Sequence, residues 1–162
     1  MPAGEGERAK SWAAALGRVA SGLFVVTARR GADETGMLAS WVQQCSFEPP
    51  LLTLAVKKGR WLAGWLTAGS ALVVNVLDDT QTDMIVHFGR GFARGEAAFE
   101  GLEVERVEGG VVLAEALACL ECRVETSLPA GDHDLFVARV TGGRLLNDGH
   151  PMVHVRKSGL HY

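Results

Sequence analysis

The sequence lacks a long apolar run: stretches such as residues 51–56 and 71–74 fall far short of the ~20 residues with which a helix spans a bilayer. It also lacks an excess of positive charge. Sixteen Lys and Arg stand against nineteen Asp and Glu, a net charge of −3, so there is no global basic field and general nucleic-acid binding is not expected. Cysteine is sparse and odd in number. Cys45, Cys119 and Cys122 make no disulfide framework and are expected to be buried thiols in a reducing compartment. The opening stretch MPAGEGERAKSW has no apolar segment behind a basic start, so neither a secretory leader nor a membrane anchor is expected, and the expected location is cytoplasmic.

The local signatures of several chemistries are missing as well. Gly89, Gly91 and Gly95 are one residue too widely spaced for G-x-G-x-x-G and precede no strand-to-helix turn. G-x-x-x-x-G-K-[ST], G-x-S-x-G and H-E-x-x-H do not occur, which removes the usual pointers to nucleotide hydrolysis, serine hydrolases and zincins. Cys119 and Cys122 have the spacing of a metal knuckle, but in a strand residues three apart point to opposite faces, and no second pair exists. His150 and His154 flank Pro151 and read as a solvated edge, so no metal is expected.

What is present is an ordinary globular composition, 48% apolar and 22% charged, with twenty glycines gathered at segment ends. The 162 residues fit one domain with one core, residues 1–7 being flexible. Trp12, Leu16 and Val19 predict an amphipathic helix over 8–19. Short β-branched or apolar runs predict strands at 23–28, 51–56, 71–77, 102–107, 116–128, 133–146 and 152–155, with an extended stretch at 36–47. Turns fall at 29–34, at the Pro49-Pro50 pair and at 129–132. The stripe Trp61, Leu62, Trp65, Leu66 predicts a short helix on the sheet, and Asp78-Asp79-Thr80 offers caps for a helix reaching Phe88. Many strands, short connections and no strand–helix alternation predict a mainly β fold with short helices, an antiparallel sheet closed into a small barrel.

The most informative stretch is residues 35–60, TGMLASWVQQCSFEPPLLTLAVKKGR, in which small, hydroxyl and apolar residues alternate ahead of a double proline, a strand and a basic turn. This pattern resembles the flavin reductase-like family. The match continues through Asn75-Val76-Leu77, His87-Phe88-Gly89, Leu120-Glu121-Cys122-Arg123, Gly131-Asp132-His133 and the segment from Arg156 to Tyr162. It covers residues 14–162 and is closest to the reductase modules fused to flavodiiron proteins and high-molecular-weight rubredoxins. The resemblance implies an FMN-binding antiparallel Greek-key split barrel that forms a homodimer with flavin near the interface. It also implies FMN as cofactor and NADH or NADPH as electron donor, with electrons passing on to free flavin, ferric complexes or a flavodiiron- or rubredoxin-type partner.

An isoalloxazine ring needs a flat apolar slot with a few backbone polar groups, and Met37, Leu38, Ala39, Ser40 and Trp41 together with Cys45, Ser46 and Phe47 are the expected suppliers. Ser40 and Ser46 would add hydroxyls for ribityl or phosphate oxygens. Lys57, Lys58 and Arg60 would neutralise the phosphate, aided by the start of the Trp61 helix. His133 resembles the histidine that the family sets beside the nicotinamide; otherwise it is a hairpin-tip residue. His87 and Phe88 either cover the flavin or cap their helix, Cys45 lies beside the ring or is a buried thiol, and Asn75 is a structural hydrogen-bonding residue. No acid–base pair is needed, because hydride transfer between nicotinamide and flavin is carried by the cofactors while the protein positions them. The expected activity is therefore an NAD(P)H-dependent flavin reductase, the alternative being an FMN electron-transfer module with little NAD(P)H activity of its own.

Overall fold

The computed structural model describes residues 4–162. Helix α1 (Glu5–Gly17) starts ahead of the predicted 8–19, so part of the stretch expected to be flexible is its first turn; residues 1–3 of that stretch lie outside the described residues. The predicted apolar stripe does not face the core: Ala13 is buried, whereas Trp12 is 48% exposed and Leu16 and Val19 are exposed too. Strands β1 (Ser21–Gly22), β2 (Phe24–Arg30) and β3 (Asp33–Ala39) follow. Gly31, at φ +63, makes the turn between β2 and β3, a left-handed backbone position that glycine adopts without a Cβ clash. The stretch predicted as one extended run over 36–47 breaks at Ser40-Trp41 into β3 and β4 (Val42–Ser46). Beyond the prolines comes β5 (Leu51–Lys57).

The tryptophan stripe forms only a four-residue 3-10 turn, Leu62–Trp65; Leu62 and Leu66 are buried, while Trp61 and Trp65 pack edge to face at 5.6 Å. So short a turn presents no appreciable dipole to a phosphate, which corrects that expectation. Next are β6 (Ala71–Val76), α2 (Thr82–Gly89), β7 (Val104–Val107), β8 (Gly110–Leu113), β9 (Ala118–Ala130), β10 (His133–Leu145) and β11 (Val153–His154). β8, flanked by Gly109-Gly110, was not predicted. Pro129 and Ala130 extend β9 instead of turning, and Gly131-Asp132 alone closes the hairpin.

The main sheet is antiparallel, in the order β3-β2-β6-β9-β10-β5-β4. Its two outer strands, β3 and β4, are joined by Ser40 and Trp41 alone. Such a short link forces the two edges together, so the sheet must roll up into a barrel. Alternation then sorts the side chains. Val26, Leu52, Leu54, Val56, Leu72, Val74, Cys122, Val124 and Phe136 fill the inside with Leu62 and Leu66. On the outside Val25, Leu77, Met84, Phe88, Phe99, Val111 and Leu113 bury a second layer beneath α2 and β8. Cys122 belongs to the interior cluster and Cys119 to a small cluster with Val73 and Val112, the opposite-face placement expected of residues three apart in a strand.

The β7–β8 hairpin is fastened to the barrel by polar side chains. Asn75 Nδ2 donates to the carbonyls of Val25 (3.2 Å) and Val111 (3.0 Å), and its Oδ1 accepts from Leu113 N–H (2.9 Å). Thr27 Oγ1 donates to the Val111 carbonyl and accepts from the Val111 N–H, at 2.7 and 2.8 Å. Both residues are fully buried. Because Asn75→Ala removes three buried hydrogen bonds, it is expected to lower unfolding stability by roughly 2–4 kcal/mol, read as a lower urea midpoint at unchanged slope.

Candidate functional site

Barrel closure leaves a cleft of about 360 Å³ at the corner. One wall is Met37, Leu38, Ala39, Ser40 and Trp41, the end of β3 and the corner itself; Leu23 and Ala55 lie behind. Ile85 and Gly89 of α2 also line it, Gly89 beside the Leu38 side chain, exposed Lys57 and Arg60 stand at the mouth, and His154 and Tyr162 complete the lining. The lining is mostly apolar, as a slot for a flat ring system requires. A wider opening of about 440 Å³ near Asp79, Glu115 and Asp148 is acidic and ill suited to an anionic ligand.

The cations at the corner are not committed to carboxylates. Among the described residues, Lys57, Arg60 and Arg156 reach no carboxylate within 4.0 Å, although acidic residues outnumber basic ones in the chain. Arg156 lies over the Trp41 ring, 5.0 Å from its centroid. Such an uncompensated group of cations at the mouth of an apolar slot favours a ligand with an aromatic body and an anionic end.

His133 lies at the rim, 6% exposed, because β10 begins there in register with Lys57 of β5. Its Nδ1–H donates to Asp132 Oδ1 at 2.7 Å, and the hydrogen bond holds the Asp132 carboxyl below the usual carboxylate range. Its Nε2 lies 2.8 Å from the Tyr162 hydroxyl, and its ring packs against Trp41 at 4.7 Å between centroids. Burial pushes the Tyr162 phenol upward, against the opposing pull of Arg60 and Arg156.

The site residues predicted from the sequence divide into two groups. Met37, Leu38, Ala39, Ser40, Trp41, Lys57 and Arg60 line the cleft, and His133 adjoins it through Trp41 and Tyr162. Cys45, Ser46, Phe47, Lys58, His87 and Phe88 do not line it. Cys45 and Ser46 end β4 and Phe47 follows it; Cys45 is exposed and not the buried thiol that was one expectation, and Phe47 is 87% exposed. Lys58 Nζ donates to the Gly131 carbonyl at 2.7 Å and so holds the β9–β10 turn. His87 Nε2 lies 2.8 Å from the Ala98 carbonyl, and Phe88 is buried against Phe99; these contacts tie α2 to the loop that follows it, and Phe88 shares its apolar cluster with Ile85. Sequence reasoning missed Leu23, Ala55, Ile85, Gly89, His154 and Tyr162. Tyr162 carried a signal, as the sole tyrosine of the chain within a motif segment already singled out.

Comparison with known proteins bears on this geometry. The profile of the flavin reductase like domain matches residues 16–159. The chain belongs to the flavin reductase-like family. A relative, the putative diflavin flavoprotein A 3 of Synechocystis sp., is 43% identical over 164 residues, covering 100% of this chain and 27% of that protein. The chain thus spans about a quarter of the length of the curated relatives it matches. Among solved structures, the NADH:FAD oxidoreductase SgcE6 of Streptomyces globisporus C-1027 superposes with a TM-score of 0.80 at 27% identity, covering 88% of this chain and 86% of that one. The same enzyme in complex with NAD and FAD fragments gives 0.78 at 26% identity. The mainly β barrel read from the sequence is the fold of this flavin reductase family.

In this family member the cysteines offer a check on the burial pattern. Burial pushes the Cys122 thiol up to about 12 and Cys119 is enclosed, whereas Cys45 is open to solvent. A thiol-reactive disulfide reagent near pH 8 is expected to label Cys45 alone in the native protein and all three cysteines in denaturant; a second native-state label would contradict the placement.

Proposed function

We propose that the chain is an NAD(P)H-dependent flavin reductase that binds FMN in the corner cleft. The observation that carries this reading is the cleft's composition: an apolar run from Met37 to Trp41 with Ile85 and Gly89, and at its mouth Lys57 and Arg60, which reach no carboxylate within 4.0 Å among the described residues. Bound flavin would supply the redox chemistry, accepting two electrons as a hydride from a nicotinamide and handing them on. The chain's own residues bind, orient and shield. Met37, Leu38 and Ala39 would exclude water from one side of the slot, and buried Ser40 would offer its hydroxyl to a ribityl oxygen. Lys57 and Arg60 neutralise the phosphate, while Trp41 and His133 shape the donor side, His133 being held by Asp132. Complexes of the similar Streptomyces enzyme with NAD and FAD fragments support a fold able to take both nucleotides.

The donor is NADH or NADPH, and the acceptor is free flavin, a ferric complex or a redox protein. One FMN-binding domain over the whole chain, acting as a cytoplasmic homodimer, completes the reading; no helix among the described residues is long and apolar enough to cross a membrane, and exposed Phe47, Val86 and Leu145 provide apolar surface for association. A second reading, an FMN electron-transfer module with little nicotinamide activity, draws support from the diflavin relatives, in which a matching segment is only a quarter of a longer chain.

Anaerobic addition of NADH or NADPH to the FMN-loaded protein separates the two. Rapid bleaching of the flavin band by at least one nucleotide, slowed about tenfold or more in His133→Ala, is expected of the reductase; bound FMN that neither nucleotide bleaches would overturn it in favour of the electron-transfer module. Replacing Lys57 and Arg60 together by Ala is expected to weaken FMN binding by roughly ten- to a hundredfold with little change in Tm, because two exposed charge-assisted contacts are lost and no packing is.

A further inference from the structure

Tyr162 is the chain's single tyrosine and lines the cleft, and its hydroxyl occupies the His133 nitrogen that Asp132 does not hold. The Asp132 carboxylate can only accept, so the hydrogen of the neutral imidazole resides on Nδ1 and Nε2 keeps one lone pair. The phenol donates into that lone pair at 2.8 Å. Burial keeps the phenol protonated at neutral pH, so it is available as a donor.

The phenol is delivered by a segment whose base is fixed on α1. Arg156 N–H donates to the Gly17 carbonyl at 2.9 Å and Gly159 N–H to the Ala13 carbonyl at 2.6 Å, which lays the segment on α1. The contact is close enough to require glycine on both sides: a Cβ at Gly17 would stand 2.4 Å from the Arg156 carbonyl oxygen, and one at Gly159 would stand 2.2 Å from Leu16 Cβ. Beyond Gly159, Leu160, His161 and Tyr162 are exposed, and Tyr162 is 70% exposed although its ring also meets Trp41 at 5.8 Å between centroids.

We infer that Tyr162 sets the affinity of the site for nicotinamide by occupying the His133 acceptor that the carboxamide needs, so that phenol and ligand exclude each other and the residues after Gly159 swing aside on binding. This rests on the reading of His133 as the nicotinamide-side residue. One hydrogen bond must be broken before the ligand makes its own, which lowers affinity by a modest factor and not an absolute one.

Calorimetric titration of the oxidised, FMN-loaded protein with NAD⁺, which has no hydride to give, isolates binding from turnover. Tyr162→Phe keeps the ring on Trp41 and removes only the hydroxyl; it is expected to tighten NAD⁺ binding about three- to tenfold. Unchanged or weaker binding in the variant overturns the inference while leaving the reductase reading intact. Replacement of the single tyrosine by 3-fluorotyrosine gives one ¹⁹F resonance, expected to shift saturably as NAD⁺ is added; a resonance that stays in place while NAD⁺ binds also overturns it. If neither form binds NAD⁺ and NADH does not bleach the flavin, the nicotinamide reading itself fails and this inference falls with it.

Discussion

The site depends on the two-residue link between β3 and β4. Because Ser40 and Trp41 must join strands at opposite ends of the sheet order, the sheet closes, and Ala55 N–H donates to the Trp41 carbonyl at 3.0 Å to stitch the corner to β5. Closure places the apolar end of β3 beside the end of β5, where Lys57 emerges, and the antiparallel register of β5 with β10 sets His133 directly opposite Lys57. Three features far apart in sequence, an apolar wall, a cation and an imidazole, therefore share one rim. None of them needs a strained backbone or a buried charge to get there, and the rim is held by ordinary ladder hydrogen bonds.

The outer layer then gives the cleft its second side. Gly36 lets Phe88 and Phe99 approach β3, since a Cβ there would lie 3.0 Å from Phe88 and 3.2 Å from Phe99. That approach seats α2 so that Phe88 faces the barrel while Ile85 and Gly89 face the cleft. Asn75 and Thr27 fasten β8 underneath the same layer, so polar groups buried for structural reasons support the wall on which a ligand would rest.

Much of the fold was legible from the sequence, because its strands alternate strongly and its turns carry glycine or proline. β5, β6 and the β9–β10 hairpin fall within a few residues of their predicted limits. The failures have physical causes. β8 was not legible because Gly109 and Gly110 leave only three apolar residues, Val111 to Leu113, in a short strand that Asn75 and Thr27 fasten in place. The α1 stripe predicts a core face, yet Trp12 and Val19 are exposed, and Ala13 and Gly17 accept hydrogen bonds from the segment after β11. In the site, Met37 to Trp41 could be read from pattern and resemblance, whereas the sorting of Lys57 from Lys58 depends on which way consecutive strand-end residues point. Cys45, Ser46 and Phe47 do not line the cleft, because β4 leads away from the corner toward them.

The most direct test of the account is a crystal structure of the protein grown with FMN. The account predicts the ring between Met37–Trp41 and Ile85–Gly89, with the phosphate on Lys57 and Arg60. Flavin bound elsewhere, against the exposed Cys45–Phe47 face or with its phosphate away from both cations, would contradict the placement of the site at the closed corner of the barrel.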